Sequence, residues 1–439
     1  MKKQLQIFLD FLRFCIGSAK DIPSTLKEAD WKELYRIAQK QCLVGVLFDG
    51  IKKLPAEHVG MKKELLLQWM AESRMLEKTN VRLNDAAIQV SEWFRKKGFR
   101  TCILKGQGNA LMYPNPYSRT PGDIDIWVEG GDKRVISFVR SISPHEKACY
   151  HHIEFPSYKG VEVEVHYRPS FLLCFWHNRK LQKYYERVKE EQFSHRVMLG
   201  AKGEIAIPTV EFNLIFQLTH IFSHLMNEGI GLRQLLDYFF LLKNTDFIGN
   251  TDGVSGNTNG GAFGANTNYT DNTDRIGGNV YGDGFLLNTD FTDDTDRIVG
   301  NADGDGFWVN TDCSDNTDRI GGNADGVDRG LLQDELRRLG LWKFAGAVMY
   351  IMKEVFGMPA YRLIVPPHEK YGKFVLNEVL EAGNFGKHDA RNRFGRSQFG
   401  HNLQRVYRDI RLVRYFPAEA LSEPIFRTWH FFWRCYQKM

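Results

Sequence analysis

Two aspartates separated by a single residue interrupt an apolar run in this chain. Asp123 and Asp125 lie within the sequence GDIDIWV at residues 122–128. A β-strand turns alternate side chains to the same face, so this spacing predicts that both carboxylates point the same way. Two such charges repel and lose hydration, and a divalent cation with oxygen ligands, such as Mg²⁺, offsets both effects. The alternative is an exposed edge strand with two hydrated acids, but the neighbouring motifs favour the metal.

A glycine turn and an arginine precede the aspartates. The apolar run at residues 103–108 ends in a turn that contains Lys105 and Gly106. Backbone N–H groups in such a turn, with an adjacent ammonium, can bind phosphate. The proline-rich loop at residues 113–121 then places Arg119 directly before the acidic strand. Both segments therefore predict contacts to a phosphate group.

A second alternating segment follows the aspartates. The sequence VEVEVH at residues 161–166 predicts a strand with Glu162, Glu164 and His166 on one face. A carboxylate strand, a pair of aspartates, a phosphate-type turn and an arginine together match the needs of two-metal phosphoryl or nucleotidyl transfer.

Taken together, these motifs resemble the uncharacterised bacterial nucleotidyltransferase family of the DNA-polymerase-β-like superfamily, in a branch typical of Bacteroidetes. The resemblance is densest over residues 99–170 and covers nearly everything outside residues 244–330. It is carried by LKG at 104–106, YPNP at 113–116, Arg119, GDIDI at 122–126, VEVH at 163–166, EGIGLRQLLDY at 228–238 and EAGNFG at 381–386.

The resemblance implies a small mixed sheet with a two-metal Mg²⁺ site. Asp123 and Asp125 would bind the metal, and Glu164 would bind a second ion or accept a proton, with Glu162 as the backup. It also implies a nucleoside triphosphate substrate, with ATP expected, and release of pyrophosphate. The acceptor hydroxyl could belong to a small molecule, a protein side chain or an RNA end.

The nucleotide-binding residues implied by the resemblance are Lys105, Gly106, Gln107 and Arg119, the last of which could neutralise triphosphate charge. The chain departs from the family pattern at Gln107, where the superfamily usually has a small residue such as serine. The interval from Gly106 to Asp123 is also longer. An alternative is therefore a catalytically inactive protein that retains the fold and binds nucleotide.

The elements expected to position these residues predict an α+β protein whose core is flanked by helical domains. Apolar periodicity predicts helices at 2–16, 30–48 and 61–97, and again over 205–243. The predicted division is an N-terminal helical region at 1–98, the nucleotidyltransferase core at 99–170, a helical region at 171–243, a repeat insertion at 244–330 and a C-terminal helical region at 331–439.

The predicted helix at 205–243 has further polar residues at helical spacing. His220, His224 and Glu228 would share one face, and we expect them to line the active-site cleft or lie in the core rather than bind a metal. Arg233 and Asp237 are spaced for an i,i+4 ion pair.

Residues 244–330 form tandem copies of one unit. The triplet NTD or NTN begins at 244, 266, 288 and 310, a constant step of 22 residues. The window contains 16 aspartates, 4 arginines and no lysine or glutamate, a net charge of −12, so the rest of the chain carries +17. Its few apolar residues predict disorder or a loosely ordered insertion at a tolerant loop, with a repeated β-turn solenoid as the alternative.

Two functions are conceivable for these repeats. Asn301–Gly306 with Asp312 overlays an EF-hand loop except for its final glutamate, although we favour the absence of specific Ca²⁺ binding. The segment could also be the functional part of a repeat-mediated interaction protein.

The last third of the C-terminal region is basic and aromatic, with clusters at 405–416 and 429–434. It could contact nucleic acid through phosphates and stacking, or lie on a membrane surface. We favour a third interpretation, in which the aromatic residues pack between helices and the arginines face water.

The apolar runs and the cysteines of the sequence indicate the cellular compartment in which we expect the protein. No run reaches the roughly 18–20 apolar residues of a membrane span, and Asp10 and Arg13 interrupt the apolar N-terminus. The seven cysteines are scattered without metal spacing, which is typical of reduced thiols. We therefore expect a cytoplasmic protein.

Overall fold

The structure is a computed structural model, and it describes residues 2–200, 203–248, 326–389, 391 and 398–437. The described residues on both sides of the longest gap belong to one compact unit. The copies of the repeat within 249–325, including the candidate Ca²⁺ loop, lie outside the described residues.

The N-terminal region is helical, as its periodicity predicts. The predicted helix at 30–48 is in fact two helices, because Cys42 has left-handed backbone angles (φ 55°) that end the first of them. Asp30 caps that first helix by accepting hydrogen bonds from the backbone N–H groups of Lys32 and Glu33. The helices are α1 (Lys2–Cys15), α2 (Trp31–Gln41), α3 (Val44–Ile51) and α4 (Lys63–Lys96).

A four-stranded mixed sheet follows, which agrees with the predicted α+β class. Strands β1 and β2 are antiparallel, β2 and β4 are parallel, and β4 and β3 are antiparallel, in the order β1-β2-β4-β3. The elements are β1 (Thr101–Ile103), α5 (Gln107–Ala110), β2 (Ile124–Val128), α6 (Gly131–Ile142), β3 (His152–Tyr158) and β4 (Val161–His166).

Strand β2 is buried along its whole length, rather than half-buried as its alternation suggests. Ile124 and Ile126 face the apolar cluster built with α4 and α6. On the opposite face Trp127 packs against Phe193 and Phe212, with ring centroids 4.7 and 5.8 Å apart. Period-2 geometry thus leaves Asp125 on the face that these later helices cover.

The segment after the sheet departs from the all-helical prediction for 171–243. A short antiparallel hairpin lies between two helices, and residues 204–206 are its second strand. The predicted helix at 205–243 is also broken at residues 228–231. The elements are α7 (Phe175–Ser194), β5 (Arg196–Met198), β6 (Glu204–Ala206), α8 (Val210–Asn227) and α9 (Leu232–Lys243).

The described residues that flank the repeats meet in a short parallel pairing. Phe247 pairs with Val327 and Ile248 with Asp328, and the Val327 N–H donates to the Asp246 carbonyl at 2.8 Å. The remaining elements are β7 (Phe247–Ile248), β8 (Val327–Asp328), α10 (Arg329–Arg338), α11 (Trp342–Glu354), α12 (Glu369–Ala382), α13 (Gln398–Val413) and α14 (Pro417–Gln437).

The C-terminal helices only partly follow the packing interpretation. Phe416 is buried, but Trp429 and Phe431 are about half exposed and Phe432 is 65% exposed. The expectation that the aromatic cluster at 429–434 is core is therefore wrong for these side chains. None of the described helices combines the length and hydropathy required to cross a bilayer.

Candidate active site

A cavity of about 670 Å³ lies beside the sheet, between α8 and the C-terminal pair α13 and α14. Because β2 and β4 are parallel neighbours, their register brings Asp125 directly opposite Glu164. The residues predicted from the sequence that line the cavity are Lys105, Gly106, Arg119, Asp123, Asp125 and Glu164.

The two aspartates differ in their electrostatic surroundings. Repulsion by Asp125, together with burial, raises the pKa of Asp123 above its ordinary value. Burial also opposes ionisation of Asp125, but Lys105 and His166 outweigh it and hold the pKa of Asp125 well below the ordinary value. The pair therefore concentrates negative charge at one end of the cavity, and local cations offset part of it.

Lys105 provides one of these cations. Its Nζ lies 2.9 Å from Asp125 Oδ1 and 3.1 Å from His220 Nε2. An ammonium has only donors, so His220 Nε2 accepts. Burial and the nearby ammonium keep the pKa of His220 well below its ordinary value, which leaves that imidazole neutral. His220 and His224 both line the cavity, in agreement with the predicted cleft position.

His166 provides the second cation. Its Nε2 lies 3.0 Å from Asp125 Oδ1 and 3.4 Å from Glu164 Oε2. Burial lowers the pKa of His166, but the two carboxylates outweigh that effect and raise it to about 9. For Glu164, burial raises the pKa, and the contact with His166 outweighs it and lowers the value. At neutral pH Glu164 is consequently ionised.

Arg119 is engaged by an acidic partner that the sequence did not indicate. Its Nε and Nη2 each donate to a carboxylate oxygen of Asp237 at 2.8 Å. The predicted i,i+4 contact between Arg233 and Asp237 is not formed as a direct ion pair, although the two charges attract each other. Arg233 instead donates to the backbone carbonyls of Thr120 and Pro121, at 3.1 and 3.3 Å, so both arginines fasten the loop that precedes Asp123.

Two residues proposed from the sequence lie away from the cavity. Gln107 is buried and its amide donates to Asn84 Oδ1 and, at 3.4 Å, to the Asn80 carbonyl of α4. Glu162 is exposed on β4, and neither residue contributes to the cavity lining. Gly106 does contribute, with φ +58°, a conformation that disfavours any side chain.

The sequence comparison covers the part of the cavity that contains the carboxylates, Lys105 and the histidines of β3, β4 and α8. The profile of a family described as uncharacterised nucleotidyltransferase matches residues 27–253, more than half of the chain. The chain belongs to this nucleotidyltransferase family. No curated protein and no solved structure matches it.

Family membership supports a general function in nucleotide transfer for this chain. The matched segment contains the sheet, the carboxylates and α8, whereas the wall built by α13 and α14 lies outside it. Arg405 and Lys387 line the cavity from that side. One wall of the cavity is thus formed by a region to which the family match does not extend.

The carboxylate end of the cavity suits a metal ion. Single ligand atoms from Asp125, Glu164 and His166 all lie within 4.8 Å of one another. Asp123 lines the same cavity but is not part of that group. Hard carboxylate oxygens are the ligands that Mg²⁺ prefers, and the raised pKa of Asp123 shows that added positive charge would stabilise the ionised pair.

Sequence reasoning missed one part of the site. His151 and His152, the second at the start of β3, approach His166 so closely that one nitrogen of each of the three lies within 4.8 Å of the others. The signal available was two consecutive histidines next to an alternating strand, but only the antiparallel pairing of β3 and β4 brings them to His166.

Proposed function

We propose that this chain is a metal-dependent nucleotidyltransferase that moves a nucleoside monophosphate from a nucleoside triphosphate, with ATP expected, to an acceptor hydroxyl. The observation that carries the proposal is the parallel register of β2 and β4. It pairs Asp125 with Glu164, next to Asp123, at one end of a cavity that also contains Lys105 and Gly106.

Asp123 and Asp125 are the proposed Mg²⁺ ligands, and Glu164 completes the acidic set. When bound, Mg²⁺ would neutralise charge on the phosphate oxygens and on the leaving pyrophosphate. Asp125 currently shares Oδ1 with Lys105 Nζ and His166 Nε2. These two cations thus hold the carboxylate ionised and oriented towards the cavity.

Residues of the chain orient the substrates and accept the proton in the proposed reaction. Lys105 and the backbone at Gly106 orient the triphosphate so that the acceptor oxygen faces the α-phosphorus. Glu164, ionised at neutral pH because of His166, accepts the proton of that hydroxyl. The new bond joins the acceptor oxygen to the α-phosphorus, the bond from the α-phosphorus to the bridging oxygen breaks, and pyrophosphate leaves.

Basic side chains on the other cavity walls support an anionic substrate. Arg233 and Lys387 line the cavity beyond the carboxylates, together with Arg405 on α13. In contrast, Arg119 is compensated by Asp237, so its predicted action on the triphosphate would be indirect, through the loop it fastens. Cations that surround a concave site attract polyanions such as triphosphates.

The test is transfer from α-labelled triphosphates in the presence of Mg²⁺. Purified wild-type protein is compared with Asp123→Asn and Asp125→Asn, and label on the acceptor or on the protein is measured together with pyrophosphate. Asp21→Asn is the matched control, since Asp21 is exposed. We expect both active-site changes to abolish turnover and the control to retain it. Equal turnover in all four proteins would show that the site is assigned wrongly.

A second candidate is a nucleotide-binding protein without turnover. The observation that favours it is that Asp125 Oδ1 is contacted by both Lys105 and His166, while Gln107 is turned away towards α4. The same assay separates the two functions. Saturable binding of triphosphate by the wild type, with no pyrophosphate produced for any acceptor tried, supports this second candidate.

A further inference from the structure

Three imidazole rings lie close together at one wall of the cavity. His152 on β3 is the direct antiparallel partner of His166 on β4, and His151 precedes it. The ring centroids of His151 and His152 are 4.4 Å apart, and each lies 5.3 Å from that of His166. The backbone supports this arrangement, because the His151 carbonyl accepts hydrogen bonds from the N–H groups of Tyr167 and Arg168.

The separations between the donor atoms are those of ligands around a common ion. His151 Nε2 lies 3.0 Å from His152 Nδ1, and Glu164 Oε2 lies 3.5 Å from His152 Nδ1 and 3.4 Å from His166 Nε2. Ligands at about 2.0–2.2 Å from a tetrahedral zinc ion are separated by about 3.3 Å. The two Glu164 distances fall close to that value and the His151–His152 distance is shorter, while one nitrogen from each of the three histidines lies within 4.8 Å of the others.

The second nitrogen of His166 is already used in the way that metal-bound histidines require. His166 Nδ1 lies 3.4 Å from the Arg168 carbonyl, which accepts a hydrogen bond from it. Nε2 faces Glu164, and a metal ion bound there would displace the second proton of the His166 cation. A backbone acceptor that fixes one ring nitrogen is the usual partner of a ligating imidazole.

We propose that His151, His152 and His166, with Glu164 beside them, form a binding site for a first-row transition-metal ion such as Zn²⁺. Imidazole nitrogens suit Zn²⁺, Ni²⁺ and Fe²⁺, whereas Mg²⁺ takes oxygen ligands. The site is therefore chemically distinct from the Asp123–Asp125 site. Glu164 lies at the boundary, opposite Asp125 on one side and next to the histidines on the other.

This inference does not rest on the proposed function. An ion held by the histidines would occupy His166 Nε2 and leave Asp125 to Lys105 and Mg²⁺. The histidine site could equally be occupied in a protein without turnover. Failure of either proposal therefore leaves the other intact.

The test uses Co²⁺ alone as a probe, because its visible absorption reports ligand number and type. Wild-type protein in excess Mg²⁺, which occupies oxygen-only sites, is titrated with Co²⁺ by absorption and by equilibrium dialysis. The same titration is done on His151→Ala, His152→Gln and Asp123→Asn, and on the control His145→Ala, whose side chain is exposed in the loop before β3. Circular dichroism confirms that each variant is folded.

We expect one Co²⁺ per wild-type chain that resists Mg²⁺ and gives the spectrum of a nitrogen- and oxygen-ligated ion of low coordination number. His151→Ala and His152→Gln should weaken binding at least tenfold, while Asp123→Asn and His145→Ala should retain it. The proposal is wrong if the wild type has no Mg²⁺-resistant site, or if His152→Gln binds Co²⁺ as the wild type does.

Discussion

The guanidinium of Arg119 and the carboxylate of Asp237 form a bidentate ion pair inside the protein. Both N–O distances are 2.8 Å, and the two side chains are 4% and 7% exposed. The Tyr113 hydroxyl donates to the same carboxylate at 2.6 Å. The loop at residues 113–121 is thereby fixed on α9, and Asp123 follows it directly. The position of the acidic pair thus depends on a contact that takes no part in the chemistry.

Removal of one partner of this ion pair should lower the free energy of unfolding. Asp237→Ala leaves the Arg119 charge buried without its counterion, and loss of one partner of a buried pair typically lowers the free energy of unfolding by about 3–5 kcal/mol. Urea unfolding followed by circular dichroism measures the change. Asp334→Ala is the control, because Asp334 forms an exposed pair with Arg337 and should cost at most about 1 kcal/mol. Similar losses for both variants would contradict this account.

Glu164 and Glu162 are the two candidates for the third carboxylate of the site, and replacing each by glutamine distinguishes them. Glu164 lines the cavity and Glu162, two residues earlier on the same strand face, does not. We expect Glu164→Gln to lower kcat by at least about tenfold, because general bases contribute about 10²–10⁴-fold, and to weaken Mg²⁺ binding. Steady-state kinetics over a range of Mg²⁺ concentrations gives both values. A larger defect in Glu162→Gln would make the backup residue the third carboxylate.

Gly106 should tolerate no side chain. A Cβ there would meet Asp123 O at 3.6 Å, an ordinary contact, so the cost comes from φ +58° and is about 1–3 kcal/mol. Relief of that strain would shift the turn next to Lys105, and we expect Gly106→Ala to weaken triphosphate binding in a calorimetric titration. Gly60→Ala is the control, because its backbone is not left-handed and its nearest neighbour is 3.7 Å away. Equal affinities would show that the turn does not contact phosphate.

A carboxylate pair between α13 and α14 predicts a pH dependence of stability. Burial, and then the neighbouring Glu423, raise the pKa of Asp409 from 3.8 to about 7. Since the folded pKa exceeds the unfolded one, the stabilisation is complete below about pH 4. It is lost as the pH rises through about 7, with a slope of at most about 1.4 kcal/mol per pH unit.

Asp409→Asn removes this titrating group and should make the free energy of unfolding less dependent on pH. The variant should therefore be more stable than the wild type above pH 7. Urea unfolding at pH 5 and pH 8 compares the two, with Asp334→Asn as the exposed control. Parallel pH profiles for wild type and Asp409→Asn would mean that the pair does not share a proton.

The sequence located the metal-binding candidates because their signal is local. Period-2 alternation at 122–128 and 161–166 defines two strands and their polar faces, and β2 and β4 have these faces in the structure. The helices at 2–16 and 61–97 were predicted for the same reason, since amphipathic periodicity needs only neighbouring residues. The breaks at Cys42 and at residues 228–231 were missed, because a helix end set by one left-handed residue barely alters the pattern.

Partners far apart in sequence could not be predicted. Arg119 and Asp237 are separated by 118 positions, whereas the predicted partner Arg233 lies one helical turn from Asp237 and satisfies a local rule. The approach of His152 to His166 depends on the register of a strand pair, and the cavity wall from α13 depends on tertiary packing. Local sequence patterns do not determine long-range pairs or strand register, because many alternative pairings satisfy the same patterns.

The pairing of Phe247 with Val327 and Ile248 with Asp328 has a consequence for variation in chain length. The segment between residues 248 and 327 begins and ends at neighbouring points of the fold. The fold therefore requires only that the two ends of this segment lie close together. The entropic cost of joining such ends grows slowly, by about 0.6 kcal/mol for each doubling of the enclosed length. We therefore expect gain or loss of whole 22-residue units to leave the stability of the fold outside the repeats nearly unchanged.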